Sequence, residues 1–462
     1  MVIVDRTYYP LTTGQMILMY SQKYSIKKQV NNVCATFRFT KTPNIEILKQ
    51  AIIHGIMKFP CMSFRLTTQN GEMVQYYYEG FPRSIEFLHR EKTTEKDFQQ
   101  EIERWSSEPF PYRGLDTCLY RIKLIKRGDD QYMLYFCVCH LIMDAYTLMS
   151  YMTYVDKTYQ ALMNGDPIPD ISSRTVECYQ KDQEYIQSEH CKNDLEWWDK
   201  ELEEEPRFTT VNGVDGSEFN PDSRKGVLLR LWQVAADQLN IRIPKETVSA
   251  AQEYAMSKRI SPQALYILAI HSYLGKVCGT EDVMTMNAVA RRATVLQKNA
   301  GGTMVNAIPI RTILPGTKTF DEGLQVIYQK QRQAYKHADA PCGVILQNMA
   351  KKFNVKQGVV TKGYASVSLT FQPYLSAGKG TLEYTFKREK NGAATIPLYI
   401  SIMPYDNSGD LWANCEYIIN YVDPENIEKL IAFIIKFIDK GVENPEMTLE
   451  ELTESAMADT EE

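Results

Sequence analysis

A mixed α/β chain folded in two lobes is what this sequence predicts, and three observations predict it. The chain has 462 residues, more than one ordinary hydrophobic core holds, so two lobes are expected. Strand-like and helix-like segments alternate from end to end, the pattern of a mixed α/β protein. The composition is 44% apolar and 24% charged, that of an ordinary globular protein, and 29 tyrosines argue for a large, well-filled interior over disorder.

The elements follow in chain order. Residues 31–40 (NNVCATFRFT) read as a strand. Leu48, Ile52, Ile56 and Phe59 then recur at helical spacing across 45–59. Two strands are expected at 120–126 and 132–139, separated by the turn-forming Arg127-Gly128-Asp129-Asp130. Leu148, Met152, Val155, Tyr159 and Leu162 step four, three, four and three residues, which predicts a helix over 145–164 with one apolar face. Residues 165–173 (GDPIPDISS) are the best linker candidate. A polar helix is expected over 178–205, carrying Trp197-Trp198. Ser261-Pro262 reads as an N-cap with proline at the first helical position, and Gly279 as the terminator. Between them, residues 265–277 are apolar nearly all round, so this helix is expected to be buried. Asp423-Pro424 and Gly441 bracket a last helix in the same way. The expected division is a first lobe over 1–173, a second over 174–445, and an acidic tail over 446–462 that is solvated and dispensable.

Composition also bounds the function. With 52 basic and 57 acidic side chains the formal charge is −5, leaving no basic excess for nucleic acid or an anionic membrane. The N-terminus has no basic stretch followed by an apolar one, and no apolar run approaches a membrane span. Ten scattered cysteines without a C-x-x-C pair read as free thiols of a reducing compartment. A cytoplasmic monomer that meets neither nucleic acid nor membrane is therefore expected.

Six histidines are present, and no pair has ligand spacing on a recognisable scaffold, so no metal site is expected. The absence of a G-x-S-x-G elbow, a P-loop and a dinucleotide-binding glycine fingerprint argues against a serine hydrolase, an NTPase and a dehydrogenase. One constellation remains. The strand 132–139 runs straight into His140-Leu141-Ile142-Met143-Asp144 and then into the amphipathic helix. At a strand-to-helix junction the sheet holds the backbone while the side chain faces outward, where an imidazole accepts a proton from an attacking amine or hydroxyl. Asp144 is better placed to turn inward and fix the loop through an arginine. The spacing alone says little, since His190-Cys191-Lys192-Asn193-Asp194 has it too. That second copy lies in a polar helical stretch, where the pair reads as solvated i,i+4 neighbours.

In these residues the sequence resembles the condensation-domain family of non-ribosomal peptide synthesis, over nearly the whole chain. Tyr9-Pro10-Leu11-Thr12-Thr13-Gly14-Gln15 matches the family's opening segment. Cys139-His140-Leu141-Ile142-Met143-Asp144-Ala145 matches its H-H-x-x-x-D-G signature, and Trp197-Trp198 the Tyr-Trp before the second lobe. Ala290-Arg291-Arg292 and the segment from Gly302 to Arg311 resemble the later Gly-Arg and Gly-x-x-Val-Asn-x-x-Pro-Leu-Arg blocks.

What the resemblance implies is two chloramphenicol acetyltransferase-like lobes in a V, with a central channel lined by Met143, Ala145 and Asn306. It implies a catalytic His140, and an Asp144 paired with Arg291 or Arg292. The expected enzyme joins a thioester-bound acyl or aminoacyl donor to an amine acceptor, making an amide. No bound cofactor is expected: the substrates ride on the phosphopantetheine of carrier proteins or on coenzyme A. Neither a phosphopantetheine-attachment serine motif nor an adenylation segment is found, so a free-standing enzyme served by acyl or peptidyl carrier proteins in trans is expected. An acyl-CoA-dependent O-acyltransferase shares the motif and stays open, as does a reduced carrier-binding module, because Cys139 and Ala145 depart from the signature. Strand alternation turns Cys139 away from the side His140 faces, so a packed thiol is expected there and not a nucleophile.

Overall fold

The computed structural model describes residues 6–80, 82, 84–111, 116–170, 174–213, 231–372 and 380–461. Two mixed sheets, each backed by helices, make up the body. The first has five strands in the order Tyr384–Glu389, Asn32–Phe39, Tyr132–Cys139, Tyr120–Lys126 and Glu86–His89. Its neighbours are antiparallel, except for the parallel pairing of Glu86–His89 with Tyr120–Lys126. The second has six: Asn306–Ile313, Asp282–Val289, Val367–Phe371, Leu398–Met403, Leu411–Ile418 and Ala236–Ile243. A small antiparallel sheet of Tyr8–Pro10, Glu72–Tyr77 and Phe64–Gln69 stands apart.

The strand Tyr132–Cys139 lies at the middle of the first sheet, with Met133 through Cys139 all buried. A strand covered on both faces needs side chains that pack on both, which explains its unbroken apolar run. Helix Ala145–Asn164 then packs across helix Ile45–Lys58, burying Leu148, Tyr151, Met152, Val155 and Tyr159. It ends at Gly165, whose φ of 75° is the left-handed conformation that glycine adopts without strain. The first sheet is not built from residues 1–173 alone: strand Tyr384–Glu389 crosses over and pairs with Asn32–Phe39 as its edge. Of the expected linker, residues 171–173 lie outside the described residues.

Several boundaries differ from the expectation, each for a local reason. The polar helix over 178–205 is two helices, Thr175–Ile186 and Glu189–Glu201. Ser188 breaks it: its hydroxyl donates to Tyr185 O at 2.7 Å and accepts from Cys191 N at 3.2 Å, closing one helix and capping the next. The buried helix starts at Gln263 without a side-chain cap from Ser261, and does end at Gly279. Gly441 is no terminator, because helix Pro424–Glu443 runs through it. A Cβ there would come within 2.5 Å of the Phe320 ring, so close packing demands the glycine.

The tail is corrected too. Residues Leu449–Glu461 form a helix that buries Leu449, Leu452 and Ala456 in the core of the second half. Thr448 and Glu451 cap its start reciprocally: Thr448 N donates to Glu451 Oε2, and Glu451 N to Thr448 Oγ1, both at 3.3 Å. A net acidic composition hid an amphipathic helix with a capping signature.

Candidate active site

The site grows out of the end of strand Tyr132–Cys139. The ladder continues one step past it, His140 N donating to Asn31 O at 2.7 Å. The chain then turns, Ile142 N donating to Cys139 O at 3.0 Å, and enters the helix at Asp144. Two neighbours hold this turn by its backbone, and a third holds one of them. Gln15 Nε2 donates to Leu141 O at 2.6 Å. Thr303 Oγ1 donates to His140 O. Thr12 Oγ1 in turn donates to Thr303 O at 3.3 Å. Gln15 is itself fixed by Thr12 N and Gln75. His140 therefore stands on a backbone clamped from both halves of the chain, with little freedom to drift.

Asp144 is the second anchor. Its Oδ1 accepts Thr147 N at 2.9 Å, capping the helix. Oδ2 accepts Met304 N at 3.0 Å and Val305 N at 3.3 Å. Arg292 Nη2 donates to both carboxylate oxygens, at 3.0 and 3.3 Å, and also to Gly302 O and Thr147 Oγ1. Both side chains of the pair are buried. Every acceptor direction of Asp144 is thus taken by a group other than His140, so the carboxylate ties the strand–helix turn to the segment 302–305. Gly14 and Gly302 allow the close approach: a Cβ on Gly14 would sit 2.6 Å from Val305 O, and one on Gly302 would strike the Tyr179 hydroxyl at 2.2 Å.

Of the two candidate arginines, Arg292 meets Asp144. Arg291, its backbone at a left-handed φ of 51°, turns the other way, to Asp182 at 2.8 Å and Asp339 at 2.7 Å. Among the three residues expected to line a channel, Met143 is fully buried in the core of the first half. Asn306 is buried as well: its Nδ2 donates to Ala338 O and Ala340 O, both at 2.8 Å, and its Oδ1 has no partner among the described residues. Ala145 alone keeps exposed surface, in the first turn of the helix. Met143 falls just before the helix cap, where the turn directs it inward.

The chemistry of His140 follows from where it sits. Its Nδ1 is buried and has no hydrogen-bond partner among the described residues. Burial above all pushes the imidazole below its ordinary pKa; the negative charge of Asp144 works against this, and the Arg388 cation adds to it. A lowered pKa favours the uncharged imidazole, the form that can accept a proton. Cys139 offers no competing nucleophile: it is buried, and burial pushes its thiol up to about 12. Among the described residues no group of three or more His, Cys, Asp or Glu side chains is placed to hold a metal ion, and no helix is long and apolar enough to cross a membrane.

The sequence reading did not single out Thr12, Thr303 or Arg388. Thr12 had a signal, the Thr-x-x-Gln capping pattern that closes with Gln15. Thr303 had one too, since it lies in the segment from Gly302 to Arg311 that resembles a family block, whereas Arg388, 248 residues beyond His140, had none.

The structure thus combines a clamped histidine at the end of the central strand of one sheet with a second helix-backed mixed sheet. The condensation-domain model matches residues 5–462, and the chain belongs to that family, whose members are acyltransferases that form amide bonds. It is 22% identical over 460 residues to surfactin synthase subunit 1 of Bacillus subtilis (strain 168), covering 97% of this chain and 12% of the relative. Tyrocidine synthase 3 of Brevibacillus parabrevis is 20% identical over 456 residues, covering 97% and 7%. The chain thus spans less than a fifth of the length of either. Among solved structures, the first condensation domain of the calcium-dependent antibiotic synthetase, in complex with a substrate analogue, superimposes with a TM-score of 0.80 at 15% identity, covering 96% of this chain and 99% of that one. The starter condensation domain of rhizomide synthetase in complex with C8-CoA gives 0.78 at 17%, covering 96% and 97%. The fold is therefore the chloramphenicol acetyltransferase-like one of condensation domains.

Proposed function

We propose that this chain transfers an acyl or aminoacyl group from a thioester donor to an amine acceptor, with His140 as the proton acceptor. The reading rests on one observation above others: a half-buried imidazole, held below its ordinary pKa by its surroundings, on a backbone clamped from both halves of the chain. In the reaction the amine nitrogen attacks the thioester carbonyl carbon and its excess proton passes to His140. Collapse of the tetrahedral intermediate breaks the C–S bond, and the imidazolium returns the proton to the leaving thiolate. The products are an amide and a free thiol. Asp144 and Arg292 act at a distance from this chemistry, by holding the turn that presents His140.

Acyl or peptidyl carrier proteins are the proposed source of the donor, and an amine or aminoacyl group the acceptor. The C8-CoA held by the rhizomide starter domain makes a coenzyme A thioester the second donor to test. Incubating the protein with loaded carrier proteins and a panel of acyl-CoA thioesters, each with amine acceptors, and weighing the products by intact-mass spectrometry tests the proposal. Product formed by the native chain and lost in His140→Ala supports it. No product across the panel, or full turnover by a folded His140→Ala, refutes it.

A further inference from the structure

Helix Thr13–Tyr24 grips the backbone on both sides of the His140 residue. Beyond it, Gln15 Nε2 donates to Leu141 O at 2.6 Å. Before it, the grip runs through Asn31. The Asn31 Nδ2 donates to Leu18 O at 2.9 Å and to Gln22 Oε1 at 3.0 Å, and Asn31 O accepts His140 N at 2.7 Å. A displacement of this helix is therefore passed to His140 through one or two hydrogen bonds, a contiguous path of the kind that carries coupling.

What holds the helix in place is a carboxylate at its start. Asp182 Oδ2 accepts Thr13 N at 2.7 Å and Thr13 Oγ1 at 3.0 Å. It thus takes up one of the N–H groups that a helix leaves free at its N-terminus, where negative charge is favoured. The next residue, Gln183, donates to Leu11 O at 2.9 Å. Arg291 fixes the carboxylate in turn, with Nη2 2.8 Å from Asp182 Oδ1 and both side chains buried. The two neighbouring arginines are then two separate holds on one turn. Arg292 binds Asp144, the cap of the helix that leaves His140. Arg291, sent the other way by its left-handed φ, binds the carboxylate that anchors the helix gripping His140 from Gln15 and Asn31.

We infer that Asp182 and Arg291 are positioning residues for His140, acting in series through Thr13 and Gln15. The effect on turnover rests on the acyl-transfer reading above; the effect on the place of the imidazole does not. An arrangement in series makes a specific demand. Once Gln15 no longer grips Leu141 O, loosening Asp182 has only the Asn31 path left to act through, so the two losses combine to less than their sum. Two substitutions that merely weakened the fold at independent places would add.

The experiment is a double-substitution cycle in the full chain with Asp182→Asn and Gln15→Met, both close in shape to the native residues. Its first readout needs no substrate: NMR of the histidine-labelled protein, with the His140 ring assigned by its loss in His140→Gln. Each single variant is expected to shift the His140 signals, and the double variant to shift them by less than the sum. The second readout is turnover, where kcat is expected to fall roughly tenfold or more in each single variant with KM nearly unchanged, and by less than the product in the double. Thr13→Val, which loses the hydroxyl, is expected to follow Asp182→Asn to a smaller degree, and Thr13→Ser to recover the native signals; this pair decides the matter if Asp182→Asn does not fold. His140 signals that stay in place in Asp182→Asn or Thr13→Val, or effects that add fully in the double variant, overturn the inference. Signals that combine as expected without any acyl transfer leave it standing and count against the proposed function alone.

Discussion

The chain carries the same five-residue spacing twice, at His140–Asp144 and at His190–Asp194, and the two places have little else in common. In the first, the spacing crosses a strand-to-helix turn, and its two ends do different jobs. The Nδ1 of His140 has no hydrogen-bond partner among the described residues, while Asp144 is saturated by Arg292 and three backbone N–H groups. In the second, helix Glu189–Glu201 puts the pair one turn apart on one face, where His190 Nε2 lies 3.5 Å from Asp194 Oδ2. His190 is 69% exposed there. Asp194 is buried, but it serves Tyr185 at 2.6 Å and His337 at 2.7 Å as a structural acceptor. A motif's chemistry thus comes from the backbone that carries it. A strand end separates a base from its supporting carboxylate, whereas a helix brings the two together and leaves the histidine to solvent.

Asp144→Ala offers the largest break in this comparison. It strands the buried Arg292 charge and removes a helix cap together with the tie to residues 302–305. A loss of about 3–5 kcal/mol of folding stability is expected, the usual effect of removing one partner of a buried pair, and urea denaturation checks it. An unchanged unfolding midpoint with lost activity would instead give Asp144 a direct part in the chemistry.

Next comes His140→Ala, for which turnover is expected to fall roughly 10²-fold or more while the unfolding midpoint stays close to native. The matching change His190→Ala is expected to leave turnover untouched and to alter stability by no more than about 0.5 kcal/mol, because an exposed ion pair contributes little. Equal effects of the two alanine substitutions on rate would erase the distinction between the motifs.

A third histidine sharpens the contrast through pH. His271 lies buried between Thr285 and Thr312, and burial pushes its pKa down to about 3. Its folded-state value is depressed, so the unfolded chain takes up a proton first. The stability held above the unfolded value of about 6.5 is then lost progressively as pH falls toward 3. Thermal unfolding across that window is expected to show a decline that His271→Gln flattens; a parallel decline in the variant assigns the acid sensitivity elsewhere. His140 has the same sign, so the acid limb of its activity is expected below the ordinary histidine range.

Cys139→Ala is the smallest test. With the thiol buried and protonated, a stability cost of about 1 kcal/mol and near-native turnover are expected. Alkylation of the native protein by iodoacetamide, mapped by peptide mass spectrometry, is expected to spare this residue. Rapid labelling at Cys139 with parallel loss of activity would contradict its burial.

Much of this was legible in the residues themselves. The apolar run 132–139, the period of 145–164 and the glycine at 165 determined a strand, a helix and its end, because burial on one face and a left-handed φ leave marks on neighbouring residues. That local pattern placed His140 at a strand end and turned Asp144 inward toward an arginine; that Asp144 also caps the helix is seen only in the structure. The choice between Arg291 and Arg292 was beyond its reach. The two are adjacent, both are buried, and only the positive φ at Arg291 sends one to Asp182 and Asp339 and the other to Asp144. Thr303 reaches the backbone of the histidine across 163 residues of chain. Sequence periodicity records which side of an element is buried, not which distant element covers it. The pairing of Tyr384–Glu389 with the first sheet was decided only when the chain closed on itself.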